Sequence, residues 1–469
     1  MFIGRKEELK LLDSKLKSDG YEMGVIYGQR RIGKTSILLE ATRSYRHLYL
    51  LAREDNYSNN LRYFSEEYQK FSNLPYSPDF PSFDSFFDSI YSSLGNEKLV
   101  IVIDELPFLA NAYPGIVSYL QSFCDRCSNE GKNIKLLLSG SNMSFMLDLL
   151  TNKAKPLYQR ATFKLFVKPM VFSEAIQMLS KASNVDKAKY LSIFGNRPYY
   201  LAKIDESKSF EENIISLCFD SSSILIDAPN MTLPLGFSKN STYVAILVAI
   251  ASRKKTVKEI ASSLRMETNV LSIYLKRMIE TSALEKRTAF NGSTKNVYYE
   301  ISDPFIRFYY RLIYPNALDI DRGLGASIYR ASLPVIDDII DHGFEDVAIS
   351  YMDEQNALGR LPGVFHAFQN YRADNSPLGR SVEIDLISDS LDGKTLIAGE
   401  VKFRNKDVSL ECLEHLRETV SIFAKNYKDV YYIVFSKKGF AGSLLNLHDP
   451  KVELISLDVM MGGETVTAI

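Results

Sequence analysis

Tryptophan is absent from this chain of 469 residues, cysteine occurs four times and histidine five. Each scarcity removes a class of explanation. Cys124, Cys127, Cys218 and Cys412 are too few and too scattered for a disulfide framework. Cys124 and Cys127 form a C-x-x-C, but no second pair or nearby histidine completes a zinc site, so all four are expected as free thiols. No run of about 18 apolar residues occurs, and the longest stretch, VAILVAI at 244–250, is too short to span a bilayer. The first ten residues, MFIGRKEELK, lack the apolar core of a signal peptide. A cytoplasmic protein with no membrane partner is therefore expected. The formal net charge is −1, so no global field draws the chain to nucleic acid, and any such binding must come from a local patch.

The composition that remains, 46% apolar and 24% charged, is that of a globular protein, and its length implies more than one core. MGVIYG at 23–28 reads as a buried strand and SILLEATRSY at 36–45 as a helix. Between them GQRRIGKTS, residues 28–36, fits the pattern G-x-x-x-x-G-K-[ST] in the context that pattern needs. Gly28 and Gly33 let the backbone curl so that its N–H groups point at phosphate oxygens. Gln29, Arg30, Arg31, Ile32 and Ser36 complete the cradle, Lys34 neutralises the β and γ phosphates of ATP, and the Thr35 hydroxyl ligates Mg²⁺. LVIVIDEL at 99–106 is an apolar strand ending in two acids. Asp104 is expected to hold Mg²⁺ through water, and Glu105 to polarise the attacking water. NIKLLLSGSN at 133–142 is a further strand, where Ser139 or Ser141 is expected to sense the γ-phosphate. HLYLLA at 47–52 fits a strand between the loop and the acid pair, and that extra strand with the second acid marks the hydrolysing (ASCE) branch of these folds.

FIGRKEEL (2–9), GQRRIGKTS, IVIDEL, LLLSGS and PLYQR (156–160) resemble the archaeal and bacterial P-loop ATPases related to the AAA and STAND groups. The resemblance covers residues 1–205. It implies that Gly4 and Arg5 begin a segment packed near the adenine. It also implies that Arg160 reads the γ-phosphate, within its own chain or on a neighbour in a homo-oligomer. GNRPYYL at 195–201 is similar to a motif in that family's small helical lid, with Asn196 where a second glycine is usual.

Beyond the lid, residues 206–318 read as a winged helix-turn-helix. An apolar helix (241–253) is followed by TVKEIASSL, where Thr256 and Glu259 match a capping box. Next comes a second helix, TNVLSIYLKRMIE (268–280), expected to bury Val270, Ile273, Leu275 and Ile279. Two alternating strands then flank the Asn-Gly turn NGST. Ten lysines and arginines stand against five glutamates in 241–300. Lys276 and Arg277 on the recognition helix, and Lys286, Arg287 and Lys295 on the wing, are placed for DNA phosphates, although such modules also bind proteins.

In the last part, 319–469, SVEIDLIS (381–388) and LIAGEVKFR (396–404) alternate as strands. Period two puts Glu400 and Lys402 on one face, near Asp385, with Glu345 on an upstream helix as a further carboxylate. Asp385 and Glu400 are suited to share Mg²⁺ and Lys402 to orient the attacking water. These residues resemble the PD-(D/E)XK nuclease superfamily. The expected fold class is thus a multidomain α/β chain: an ASCE P-loop ATPase with a helical lid, a winged helix-turn-helix, and a C-terminal α/β restriction-endonuclease-like domain. Two outputs follow: a nucleotide-gated DNA nuclease, or a regulatory ATPase whose nuclease fold is idle.

Overall fold

All six residues of strand β3 (Leu99–Asp104) are buried, as a strand covered on both faces requires. The computed structural model of the chain describes residues 2–93, 97–233, 236–288, 290, 297–373 and 376–462. Two units emerge, one of residues 1–168 with 280–282 and one of residues 169–279 with 283–469. In the first, β3 lies in a parallel sheet with β1 (Glu22–Tyr27), β2 (His47–Leu51), β4 (Ile134–Gly140) and β5 (Phe163–Phe166). The strand order is β2-β3-β4-β1-β5. One face packs Met23, Val25, Ile101 and Ile103 against Phe64, Phe86 and Leu120. The other packs Ile26, Val100 and Val102 against Leu12, Leu16 and Ile37. Each such burial contributes about 1.5–3 kcal/mol.

This order corrects one expectation. His47–Leu51 lies between loop and acid pair in sequence, but in space it is the sheet edge, and the strand interposed between β1 and β3 is β4. Burial alternates along β2, with Leu48 and Leu50 inside and His47 and Tyr49 half-exposed, whereas β4 is buried throughout.

The second unit holds a mixed sheet in the order β12-β11-β10-β9-β8. Its strands are β8 (Gln369–Ala373), β9 (Val382–Asp389), β10 (Thr395–Lys402), β11 (Asp429–Ser436) and β12 (Val452–Ser456). β8, β9 and β10 pair antiparallel, while β10, β11 and β12 run parallel. The amphipathic helix Leu410–Ala424 makes the crossover from β10 to β11. Residues 169–205, which include the expected lid motif GNRPYYL, fall in this unit. Their helix Asn184–Phe194 packs on the long helix Leu333–Ala357. Gly343 permits the approach, since a Cβ there would stand 2.4 Å from the Ser192 carbonyl oxygen.

The helices Ser241–Ala251, Val257–Leu264 and Thr268–Glu280 precede an antiparallel hairpin of β6 (Leu284–Thr288) and β7 (Val297–Ile301). The capping box of Thr256 and Glu259 is present. The buried stripe of Thr268–Glu280 differs from expectation: Leu271, Leu275 and Met278 are inside, at i, i+4 and i+7, while Val270 is 41% and Ile273 71% exposed. Leu275 is in the core as expected, but the phase of the helix around it differs. The NGST turn (291–294) and Lys295 lie outside the described residues. Phe290 is 4% exposed and belongs to the core of the second sheet, with Ile384, Leu396 and Phe423. Its ring meets that of Phe423 edge-on at 5.4 Å.

Candidate functional site

The turn from β1 into the helix Lys34–Thr42 is built by backbone conformations that only a few residues tolerate. Arg31 has φ 63° and Gly33 φ 98°, so left-handed positions alternate with ordinary ones and successive N–H groups converge. Gly28 cannot be replaced cheaply, because a Cβ would lie 2.5 Å from the Val167 carbonyl oxygen. Ile32 is buried beneath the loop, while Thr35 and Ser36 face solvent. Lys34 is buried, and its Nζ donates to the carbonyl oxygens of Gly28 and Gln29, each at 3.0 Å. Burial pulls the Lys34 ammonium below its usual range, against the opposing pull of Glu105 and Asp104.

Arg5, expected near the adenine, has a specific structural task. Its Nη2 donates to the Ile32 carbonyl at 2.7 Å and its Nη1 to the Lys168 carbonyl and to Glu8 Oε1, each at 2.8 Å. Gly4 and Arg5 are both left-handed, at φ 72° and 61°. The guanidinium thus ties the amino-terminal segment to the underside of the loop.

Across the sheet, β3 delivers Asp104 to the same place. Asp104 Oδ2 accepts from Thr35 Oγ1 at 2.7 Å and from the Tyr49 hydroxyl at 2.6 Å. Burial and the adjacent Asp104 push the Tyr49 phenol far above its usual value, so it donates throughout the accessible pH range. Tyr49 is invisible to motif reading because β2 reaches Asp104 only through the sheet. The chain turns sharply at Glu105, φ 56°, which starts the helix Leu106–Ala112. Glu105 Oε2 accepts from the Ser141 backbone N at 3.1 Å and from Ser141 Oγ at 2.8 Å. Of the two serines left open, Ser141 contacts Glu105. Ser139 is fully buried, its hydroxyl without a partner among the described residues.

Arg160 is not brought to this cluster. Its Nε and Nη2 form a two-pronged pair with Asp125 Oδ1 and Oδ2, at 2.8 and 3.0 Å. The reason is topological. Thr162 lies beside Met23, where β1 begins, and β5 runs parallel to β1, so Arg160 sits at the sheet end opposite the loop.

In the second unit two of the three predicted carboxylates, Asp385 and Glu400, are both brought to Lys402. Asp385 on β9 is 8% exposed, and its Oδ2 accepts from the Val401 backbone N at 2.8 Å. Lys402 Nζ pairs closely with Glu400 and lies 3.6 Å from Asp385 Oδ2. Burial, then the charge of Glu400, push the Asp385 carboxyl up to about 7. Burial alone would lower the Lys402 ammonium, but Asp385 and Glu400 outweigh it and hold it up. Burial and the neighbouring Asp385 push the Glu345 carboxyl well above its usual range. Among the described residues no three His, Cys, Asp or Glu side chains are grouped to hold a metal ion. The Lys402 ammonium instead occupies the carboxylates.

The hairpin also departs from expectation. Arg287, predicted to meet a phosphate, is instead paired with Glu300 at 2.9 Å, under the fold of its own hairpin. All four cysteines are free thiols; Cys124, Cys127 and Cys218 are buried. No helix among the described residues is long and apolar enough to cross a membrane.

Comparison with known proteins adds to this geometry. Residues 2–204 match the model of an ATPase domain predominantly from Archaea, and residues 309–413 match archaeal and bacterial proteins of unknown function. An uncharacterized protein of Methanocaldococcus jannaschii is 30% identical over 448 residues, covering 93% of this chain and 96% of that one. Among solved structures, the Walker-type ATPase paby2304 of Pyrococcus abyssi aligns with a TM-score of 0.51 at 18% identity, over 66% of this chain and 96% of its own. The ORC2 protein of Aeropyrum pernix aligns with a TM-score of 0.46 at 15% identity, over 68% and 95%. The fold is that of a P-loop ATPase with a further sheet domain. The chain belongs to the same family as the uncharacterized Methanocaldococcus jannaschii protein, and its residues 2–204 form an ATPase domain of the kind found predominantly in Archaea.

Proposed function

We propose that the chain hydrolyses ATP and that its nucleotide state governs a DNA-directed output of the second unit. The observation that carries the first part is the cluster of Lys34, Thr35, Asp104 and Glu105, joined by the 2.7 Å bond from Thr35 to Asp104. Thr35 Oγ1 and Asp104 Oδ2 are hard oxygens at the mouth of the loop and fit Mg²⁺. Mg²⁺ held there would supply positive charge to neutralise the phosphates. The loop N–H groups and Lys34 hold the phosphates, and Tyr49 keeps Asp104 oriented when Thr35 turns from it. Glu105, released from Ser141, accepts the proton of the attacking water.

The finer reading is a winged helix in 206–318 and a PD-(D/E)XK nuclease-like domain in 319–469. Three helices followed by a hairpin support the former. Asp385, Glu400 and Lys402, gathered where β9 and β10 pair antiparallel and β10 runs parallel to β11, support the latter. Asp385 and Glu400 offer hard oxygens suited to Mg²⁺, and Lys402 is placed to orient water beside them. One observation favours a second reading, a regulatory ATPase with an idle nuclease fold: the Lys402 ammonium already satisfies both carboxylates.

The test is paired. Steady-state ATP hydrolysis should vanish in Lys34→Ala, and persistence would sink the ATPase assignment. Cleavage of plasmid and single-stranded DNA with Mg²⁺ or Mn²⁺, with and without ATP, should require Asp385. Absence of cleavage under every condition selects the regulatory reading.

The raised carboxyl of Asp385 also has a sign that can be checked. Its ordinary pKa in the unfolded chain is about 3.9. In the folded chain it rises to about 7. Between these values the folded state binds the extra proton, so the fold loses stability as pH rises through that window and stays penalised above it. Asp385→Asn removes the penalty. It should stabilise the protein against urea at pH 8 and much less at pH 5; an equal gain at both would show that charge is not the cause.

A further inference from the structure

The hairpin that closes the three-helix module is committed elsewhere. Arg287 pairs with Glu300, Phe290 is buried in the core of the second sheet, and the Tyr298 hydroxyl donates to Asn370 Oδ1 at 2.7 Å. What the module leaves to solvent is the outer side of the helix Thr268–Glu280. Leu271, Leu275 and Met278 hold its inner side, which fixes the positions between them on the other. There Val270 is 41% and Ile273 71% exposed, one turn apart. Asn269 and Ser272 stand beside them, Lys276 and Arg277 follow in the next turn, and all four are exposed. The helix Val257–Leu264 precedes this one across residues 265–267, with Lys258 and Arg265 also exposed. The exposed acids of the stretch are Glu259, Glu267 and Glu280, and the Glu259 carboxylate is engaged by its capping box.

We propose that the outer side of this helix enters the major groove of duplex DNA and reads thymine, whose C5-methyl groups pack on Val270 and Ile273. The proposal rests on the DNA-directed reading above and gives it a sequence preference. The order of residues along the helix matches the task. In a helix-turn-helix the first half of the second helix faces base edges, and here that half carries the two aliphatic side chains. The second half carries Lys276 and Arg277, where the phosphates of the groove wall lie. The thymine methyl is the apolar feature that the major groove offers, and an aliphatic side chain is its natural contact. A protein partner fits less well. A stable protein interface buries about 800 Å² on each side, and two aliphatic residues set among Asn269, Ser272 and cations make a far smaller apolar patch.

The experiment titrates the full chain, without divalent ions, against three labelled duplexes: alternating A and T, the same duplex with uracil in place of thymine, and alternating G and C. Uracil keeps the hydrogen-bonding edge and removes only the methyl. The thymine duplex should bind about tenfold more tightly than the uracil duplex, the scale of two buried methyl groups. The double substitution Val270→Ser with Ile273→Ser should erase that difference; both side chains are exposed, so the fold should tolerate it. Lys276→Gln should weaken all three duplexes by a common factor and reduce the salt dependence. Duplex binding without a preference for thymine over uracil overturns the proposal and leaves the DNA-directed reading standing. So does a preference that survives the double substitution. Binding to no duplex overturns both, and a loss of self-association in the double variant would then assign this face to a second copy of the chain.

Discussion

Glu105→Gln is expected to slow ATP hydrolysis by a factor on the order of 10²–10⁴, the range that a positioned general base supplies. ATP binding should remain near that of the unsubstituted protein. The reason lies in what the substitution keeps. Glutamine is nearly isosteric, and its amide oxygen can still accept from the Ser141 amide and hydroxyl that now bind Glu105 Oε2. The left-handed turn at residue 105 and the helix start behind it are therefore undisturbed. What is lost is the carboxylate that takes the proton from water. Steady-state hydrolysis compared with a fluorescent-nucleotide titration measures both quantities. Hydrolysis at the original rate would remove Glu105 from the mechanism. A parallel loss of binding would mean that it shapes the pocket instead.

The second large effect is on stability. Asp303 is an interior junction: Oδ1 accepts from the backbone N of Phe305 at 2.9 Å and of Ile306 at 3.3 Å. Oδ2 accepts from the Tyr200 hydroxyl at 3.0 Å and pairs with Arg197 Nε at 3.2 Å. The Arg197 and Asp303 side chains are 4% and 10% exposed. Asp303→Ala removes the carboxylate paired with a buried guanidinium and uncaps the helix Pro304–Phe308, which should cost roughly 3–5 kcal/mol. Asp303→Asn keeps the caps and should cost less. Urea unfolding followed through the second unit is the measurement. An unchanged midpoint for Asp303→Ala would mean that Arg197 finds another partner or water. This junction also gives the motif GNRPYYL a physical content: Arg197 and Tyr200 serve one carboxylate from a distant segment.

What was readable in the sequence follows a simple physical division. The phosphate loop and the acid pair were legible because their chemistry is local: nine consecutive residues make the cradle, and an apolar strand ending in Asp104 and Glu105 announces its own direction. The Thr256 and Glu259 cap was legible for the same reason. Period two brought Glu400 and Lys402 to one face as expected. Arg160 was not legible, because its place depends on which end of the sheet β5 enters. Tyr49 escaped notice because its bond to Asp104 crosses between strands far apart in sequence. Val270 and Ile273 lie outside the core because helical phase is set by the neighbours, which here select Leu271, Leu275 and Met278. Arg287 reads as a surface cation in sequence because its partner Glu300 stands opposite it only once the hairpin has paired.

Phe290 carries a consequence for the order of synthesis. The ribosome releases the hairpin before any strand of the second sheet, so the aromatic plug exists before the socket that Ile384, Leu396 and Phe423 will form. Until β9, β10 and the helix Leu410–Ala424 emerge, that ring has only water or a chaperone to face. Once they do, the C-terminal core closes around a residue it does not itself encode. The module ahead of the sheet is in this sense part of its folding template, and a shortened chain that begins after the hairpin should aggregate where the full chain stays monodisperse.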